Sequence, residues 1–172
     1  MINAIVYTTN TGSSAAYAEM LGEKTGLPVY EWSEARASLD AGSQIIYIGW
    51  LMAGTVVNLK KAQKTYAVRS VCAVGLTASE EMVQNVRARN KLPADMPLFL
   101  AQGAYDSKKL HGMYRFAMSI VGSILDKKIS AIPNRNAEEE RILTMLRDGG
   151  SGVHEDYLAP LLAWYHECKH SD

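Results

Sequence analysis

The sequence predicts an α/β domain built on a parallel sheet with helices on both faces. Short runs rich in β-branched residues alternate with segments of helical period, the pattern of successive βα units. Several of those runs are hydrophobic almost without interruption, as strands buried on both faces must be. Five strands are read from Ile2 to Thr8, Pro28 to Trp32, Gln44 to Gly49, Ser70 to Gly75 and Pro97 to Gln102. Gly12 to Lys24, with Ala15, Ala16, Ala18 and Leu21, reads as the first helix, and Thr55 to Tyr66 as an amphipathic second. In Thr77-Ala78-Ser79-Glu80-Glu81 a capping hydroxyl and an acidic first turn precede Met82, Val83 and Val86, so a helix starts there. Beyond the fifth strand come an apolar segment from Met113 to Leu125 and helices over Ala137 to Arg147 and Glu155 to Lys169. Gly149-Gly150-Ser151-Gly152 reads as a loop, and Asp126 to Asn136 as a surface excursion.

A chain of 172 residues, 48% of them apolar, buries one sizeable core, so residues 1–172 are read as a single domain. Eighteen basic residues balance eighteen acidic ones, and no overall field draws in nucleic acid, anionic membrane or an acidic partner. Met1 leads straight into Ile2-Asn3-Ala4-Ile5 without the basic and apolar regions of a secretory signal, so a cytoplasmic location is expected. The two cysteines, Cys72 in an apolar strand and Cys168 near the tail, are read as free thiols. His166-x-Cys168-x-His170 carries metal-capable side chains, but residues two apart on a helix face different ways, and no metal is expected.

The segment richest in chemistry is Thr8-Thr9-Asn10-Thr11-Gly12-Ser13-Ser14, between the first strand and the first helix. Backbone N–H groups at a helix N-terminus are unpaired and carry the positive end of the helix dipole, which suits a phosphate. Thr9, Thr11, Ser13 and Ser14 supply hydroxyls, Asn10 an amide, and Gly12 permits a tight anion-binding turn. An ordinary polar turn with a capping hydroxyl is the competing reading of the same residues.

Thr9-x-Thr11-Gly12-x-Ser14 resembles the phosphate loop of flavodoxins and flavodoxin-like oxidoreductases, whose pattern is Ser/Thr-x-Thr-Gly-x-Thr/Ser. Two further stretches fall where that family places its flavin loops. One is Gly49-Trp50-Leu51-Met52-Ala53-Gly54 after the third strand, and the other Gly75-Leu76-Thr77 after the fourth. The resemblance implies a three-layer flavodoxin-like sandwich, a five-stranded parallel sheet of order 2-1-3-4-5, and FMN as cofactor. It places the flavin at the carboxyl ends of the first and third strands, where the strand order reverses. Trp50 is expected against the isoalloxazine ring.

Departures from the family bear on mechanism. Electron-carrier flavodoxins are acidic, and this chain is neutral. They also sandwich the flavin between two aromatics, yet Gly75 to Ser79 contains no Tyr or Trp. An open flavin face favours an oxidoreductase whose flavin meets a redox protein, a quinone or another small molecule directly. Gly103-Ala104-Tyr105-Asp106, Lys108-Lys109 and the run from Met113 to Gly122 are similar in layout to menaquinone-dependent protoporphyrinogen oxidases. Met113 to Leu125 is too short to span a bilayer and reads first as a core helix, with a quinone-facing or membrane-touching surface as the alternative. Tyr105, Asp106 and His111 are candidates for proton transfer to a substrate. A flavodoxin-fold binding module without flavin is the non-enzymatic alternative.

Overall fold

The computed structural model describes residues 1–105 and 112–171. The strands are β1 (Ala4–Thr8), β2 (Val29–Glu31), β3 (Gln44–Met52), β4 (Thr55–Val56), β5 (Ala67–Gly75), β6 (Leu98–Gln102), β7 (Ala104–Tyr105) and β8 (Gly150–Ser151). The helices are α1 (Ser13–Thr25), α2 (Trp32–Ser38), α3 (Leu59–Thr65), α4 (Glu80–Asn90), α5 (Gly112–Ser130), α6 (Ala137–Asp148) and α7 (Ala159–Ser171). A 3-10 turn over Glu155–Leu158 leads into α7.

The main sheet runs β2-β1-β3-β5-β6 with every neighbouring pair parallel, and β4 pairs antiparallel with β3 at one side. Alternation along the strands divides the core in two. Ile5, Ile46, Ile48, Cys72 and Ala101 pack with Tyr17, Ala18 and Leu21 of α1 and Leu161 of α7. Ala4, Val6, Ile45, Tyr47, Val71 and Ala73 pack on the other face with Ala35 of α2, Leu59 and Ala62 of α3 and Val86 of α4. Helices therefore cover both faces of a mostly parallel sheet, an arrangement consistent with a three-layer sandwich.

Several boundaries differ from those expected. The sheet has six strands, and its order by chain number is 2-1-3-5-6 instead of 2-1-3-4-5. The added strand arises because β3 continues through Trp50, Leu51 and Met52 and then turns back on itself. Ala53 and Gly54 both take positive φ, 48° and 79°. A two-residue turn of that kind matches the twist of antiparallel strands. Thr55 and Val56 are thus strand, and the helix expected from Thr55 begins only at Leu59. Trp32 opens α2 instead of closing a strand, and its ring meets Tyr66 edge-on at 6.3 Å.

The helix expected over Ala137 to Arg147 is α6, which starts on a capping box: Asn136 Oδ1 accepts the Glu139 N–H, and Glu139 Oε2 accepts the Asn136 N–H. The first part of the excursion expected from Asp126 is helical, since α5 runs on to Ser130. Gly150 and Ser151, expected in a loop, pair antiparallel with β7. On α5, Ile129 is buried against Ile142 and Leu143 of α6, whereas Ile120 and Ile124 are exposed. Asp106, Lys108, Lys109 and His111 lie outside the described residues. Among the described residues no helix is long and apolar enough to cross a membrane.

Burial favours the protonated forms of several weak acids, most strongly Tyr17, Tyr47 and Cys72. It pushes the Tyr17 and Tyr47 hydroxyls up from 10.0 to about 12, and the Cys72 thiol from 9.0 to about 12. The folded chain then binds these protons more tightly than the unfolded chain does. Their contribution to stability is complete below about pH 9 and is lost as the pH rises towards 12. Urea-unfolding midpoints should fall steadily across that alkaline window, and Tyr17→Phe should flatten the fall. Midpoints independent of pH would overturn this assignment.

Candidate functional site

At the carboxyl end of β1 the chain makes a tight turn into α1. Gly12 is the N-cap of α1 with φ 95°, a left-handed conformation that a side chain makes costly. The turn is closed by the Gly12 N–H, which donates to Thr9 Oγ1 at 3.0 Å. Ala16 N–H makes the first backbone bond of the helix, to Gly12 O at 3.0 Å. The amides of Ser13, Ser14 and Ala15 precede that bond, no side chain caps them, and the first turn carries no acidic residue. Among the described residues nothing pairs with these donors at the positive end of the 13-residue helix.

Beside those amides lies a polar atom without a partner among the described residues. Ser14 is 1% exposed, and its Oγ has no hydrogen-bond partner among the described residues. A buried hydroxyl left unpaired costs about 1–3 kcal/mol, so the position calls for a partner. Ser13 is different. Its Oγ accepts the Ala104 N–H at 2.8 Å, which ties the loop to β7 and leaves only the hydroxyl proton for a ligand. Thr8 Oγ1 lies 2.7 Å from Tyr47 OH, and Tyr47 donates to Val57 O at 2.8 Å, so the loop's base is fixed to β3 and the chain following it.

The same edge carries the second and third expected loops. Leu51, Ala53 and Gly54 face Gly75, Leu76 and Thr77 across a cleft of about 290 Å³. Its remaining walls are Met82, Asn85 and Arg89 of α4, with Leu125 of α5. Asn90 fixes the hairpin wall: its Oδ1 accepts the Val56 N–H at 2.9 Å, and its Nδ2 donates to Gly54 O at 2.9 Å and Val86 O at 2.7 Å. Gly103 N–H donates to Gly75 O at 2.7 Å and Gln102 Nε2 to Leu76 O at 3.0 Å, which binds the end of β6 to the third loop. Ser79 caps α4 by accepting the Met82 N–H, as its sequence predicts.

No protein-family model, curated protein or solved structure matches this chain.

Of the residues singled out in the sequence, Leu51, Ala53, Gly54, Gly75, Leu76 and Thr77 line one cleft, and Thr9 to Ser14 form the turn into α1. Gly49 is instead buried within the sheet, paired with Thr8 and Ala73. Trp50 does not stand in a loop as expected: it is a half-buried strand residue in register with Val74. It follows Ile46 and Ile48 in the strand's alternation, whereas the cleft is lined by its neighbour Leu51. Met52 ends β3 and is not among the lining residues. Sequence reading missed Met82, Asn85 and Arg89. Their helical spacing on α4 is the signal that could have found them. No cluster of three potential metal ligands occurs among the described residues.

Proposed function

We propose that the chain is a flavodoxin-like oxidoreductase that binds FMN and uses it in electron transfer. The Ser14 hydroxyl carries the reading, because it is buried in a Thr-x-Thr-Gly-x-Ser turn and, like the amides beside it, has no partner among the described residues. A terminal phosphate satisfies all of these groups together: amides from the first turn of α1, hydroxyls from Thr9, Thr11 and Ser14, and the amide of Asn10. The strand order supports the same family. With the short β4 set aside, the five parallel strands succeed one another in space as flavodoxin strands do, and the reversal falls between β1 and β3.

FMN, once bound, supplies a ring that takes up and releases electrons singly or in pairs. Leu51, Ala53 and Gly54, with Gly75, Leu76 and Thr77, are the residues to hold that ring. Among the described residues no aromatic side chain lines their cleft. This supports an enzyme whose flavin meets a quinone, another small molecule or a redox protein directly, over a carrier that seals its flavin between two rings.

Purified protein mixed with FMN should give a yellow one-to-one complex, and FAD should bind more weakly. Ser14→Ala should lower FMN affinity about tenfold, the loss of one hydrogen bond to a charged group. The apoprotein should be no less stable, since the substitution removes a buried group that has no partner among the described residues. A chain that binds neither flavin, or a Ser14→Ala variant that binds FMN as well as the parent, would sink the proposal in favour of a module without flavin.

A further inference from the structure

We propose that the cleft between α6 and the segment after β8 is a second ligand site, which takes a small organic carboxylate on the guanidinium of Arg141. Two adjoining cavities of about 350 and 440 Å³ share Gln102, Arg141, Ser151 and Gly152. Of the three arginines on or flanking α6, Arg135 is held by Glu140 at 2.6 Å and Arg147 by Asp126 at 2.7 Å. Arg141 makes no hydrogen bond or ion pair among the described residues, and it borders both cavities. A guanidinium offers five donors in a planar fork that matches a carboxylate.

The floor beneath it is fixed. Gln102 is 7% exposed; its Nε2 donates to Leu76 O, and its Oε1 accepts from Tyr157 OH at 3.2 Å. Neither end of that amide is free to swing onto Arg141. Ser151 Oγ accepts the Val153 N–H at 3.2 Å, which leaves its hydroxyl proton for a ligand. The charge at the rim selects the ligand class. Glu140 borders one cavity and Asp156 the other, and Asp156 Oδ2 lies 3.1 Å from His154 Nδ1. Among the described residues Arg141 is a cation without a partner, Glu140 is already held by Arg135, and Asp156 lies beside His154, a balance that suits a monoanion over a dianionic phosphate. This site shares no residue with the cleft assigned to the flavin ring and does not depend on that assignment.

Naphthoate and the nearly isosteric, neutral naphthamide separate charge recognition from apolar fit. Titrated into the apoprotein and into FMN-treated protein, naphthoate should bind at least about fivefold more tightly than naphthamide. Arg141→Gln should equalise the two without changing FMN affinity or the circular dichroism of the fold. Arg141→Lys should keep part of the preference, because the charge remains and the fork is lost. Equal affinities in the unmodified chain, no measurable binding of either probe, or a preference that survives Arg141→Gln would each overturn the proposal. Should FMN fail to bind, the flavin reading falls, and the apoprotein titration still decides this one.

Discussion

Asn90→Leu is expected to cost about 2–5 kcal/mol of folding stability, because one buried and one partly buried backbone group lose their partners at once. Asn90 is 3% exposed at the end of α4, and its side chain serves Val56 N–H, Gly54 O and Val86 O. Val86 O sits within the helix, but the Val56 amide and Gly54 carbonyl belong to the hairpin. Leucine fills the space and satisfies neither. Asn90→Asp tests the same point by charge. Its carboxylate can still accept from Val56 N–H, yet it sets negative oxygen against two carbonyls. Native structure therefore favours the protonated acid and raises its pKa, so this variant should be more stable relative to the parent in acid than at neutral pH. Urea unfolding of the three proteins at both pH values checks both statements. A loss below about 0.5 kcal/mol for Asn90→Leu would mean that the hairpin finds other partners.

Gly12→Val is expected to abolish measurable FMN binding, lowering affinity at least about a hundredfold. A β-branched residue held at φ 95° carries about 1–3 kcal/mol of strain. Among the described residues nothing stands within 4 Å of the position a Cβ would take. Relief must therefore come from the backbone, which rotates the amides of the turn away from the place where they converge. Thr11→Ala leaves the backbone alone and removes one donor, so a loss of about tenfold is expected. Calorimetric titration with FMN, beside urea unfolding of each apoprotein, separates binding from folding. If Gly12→Val binds FMN as the parent does, the phosphate is not held at α1.

The elements that could be read from the sequence are those whose signals are local. β1 and β5 are near-continuous apolar runs, α1 follows from its small residues, and α6 opens on Asn136 and Glu139 three residues apart. The hydroxyl turn was legible for the same reason. What escaped depends on packing at a distance. The β3–β4 hairpin turns on Ala53-Gly54, without the Asn or Asp that usually announces positive φ, and is held by Asn90, a residue 34 positions after Val56. Helix α2 buries only Ala35 and has no side-chain cap, so its pattern is faint. Trp50 looked like loop because Gly49 and Gly54 bracket it, whereas its backbone continues the ladder with β5.

The chain leaves the main sheet after β6 and returns to it before α7 through a narrow neck. Gly152 N–H donates to Gly103 O at 3.1 Å, and the β7–β8 pair extends the ladder outward from there. The described residues between Tyr105 and Gly150, including both α5 and α6, hang from this closed stem. Topologically the excursion is a graft: the two ends that enter it already touch, so it can lengthen, shorten or be exchanged without moving any strand of the layer beneath. Loop-closure entropy barely resists such change, at about 0.6 kcal/mol for each doubling of length. The sandwich and its hydroxyl-rich turn can thus stay constant while the graft, which supplies Leu125 to one cleft and Arg141 to the other, alters the walls of both clefts.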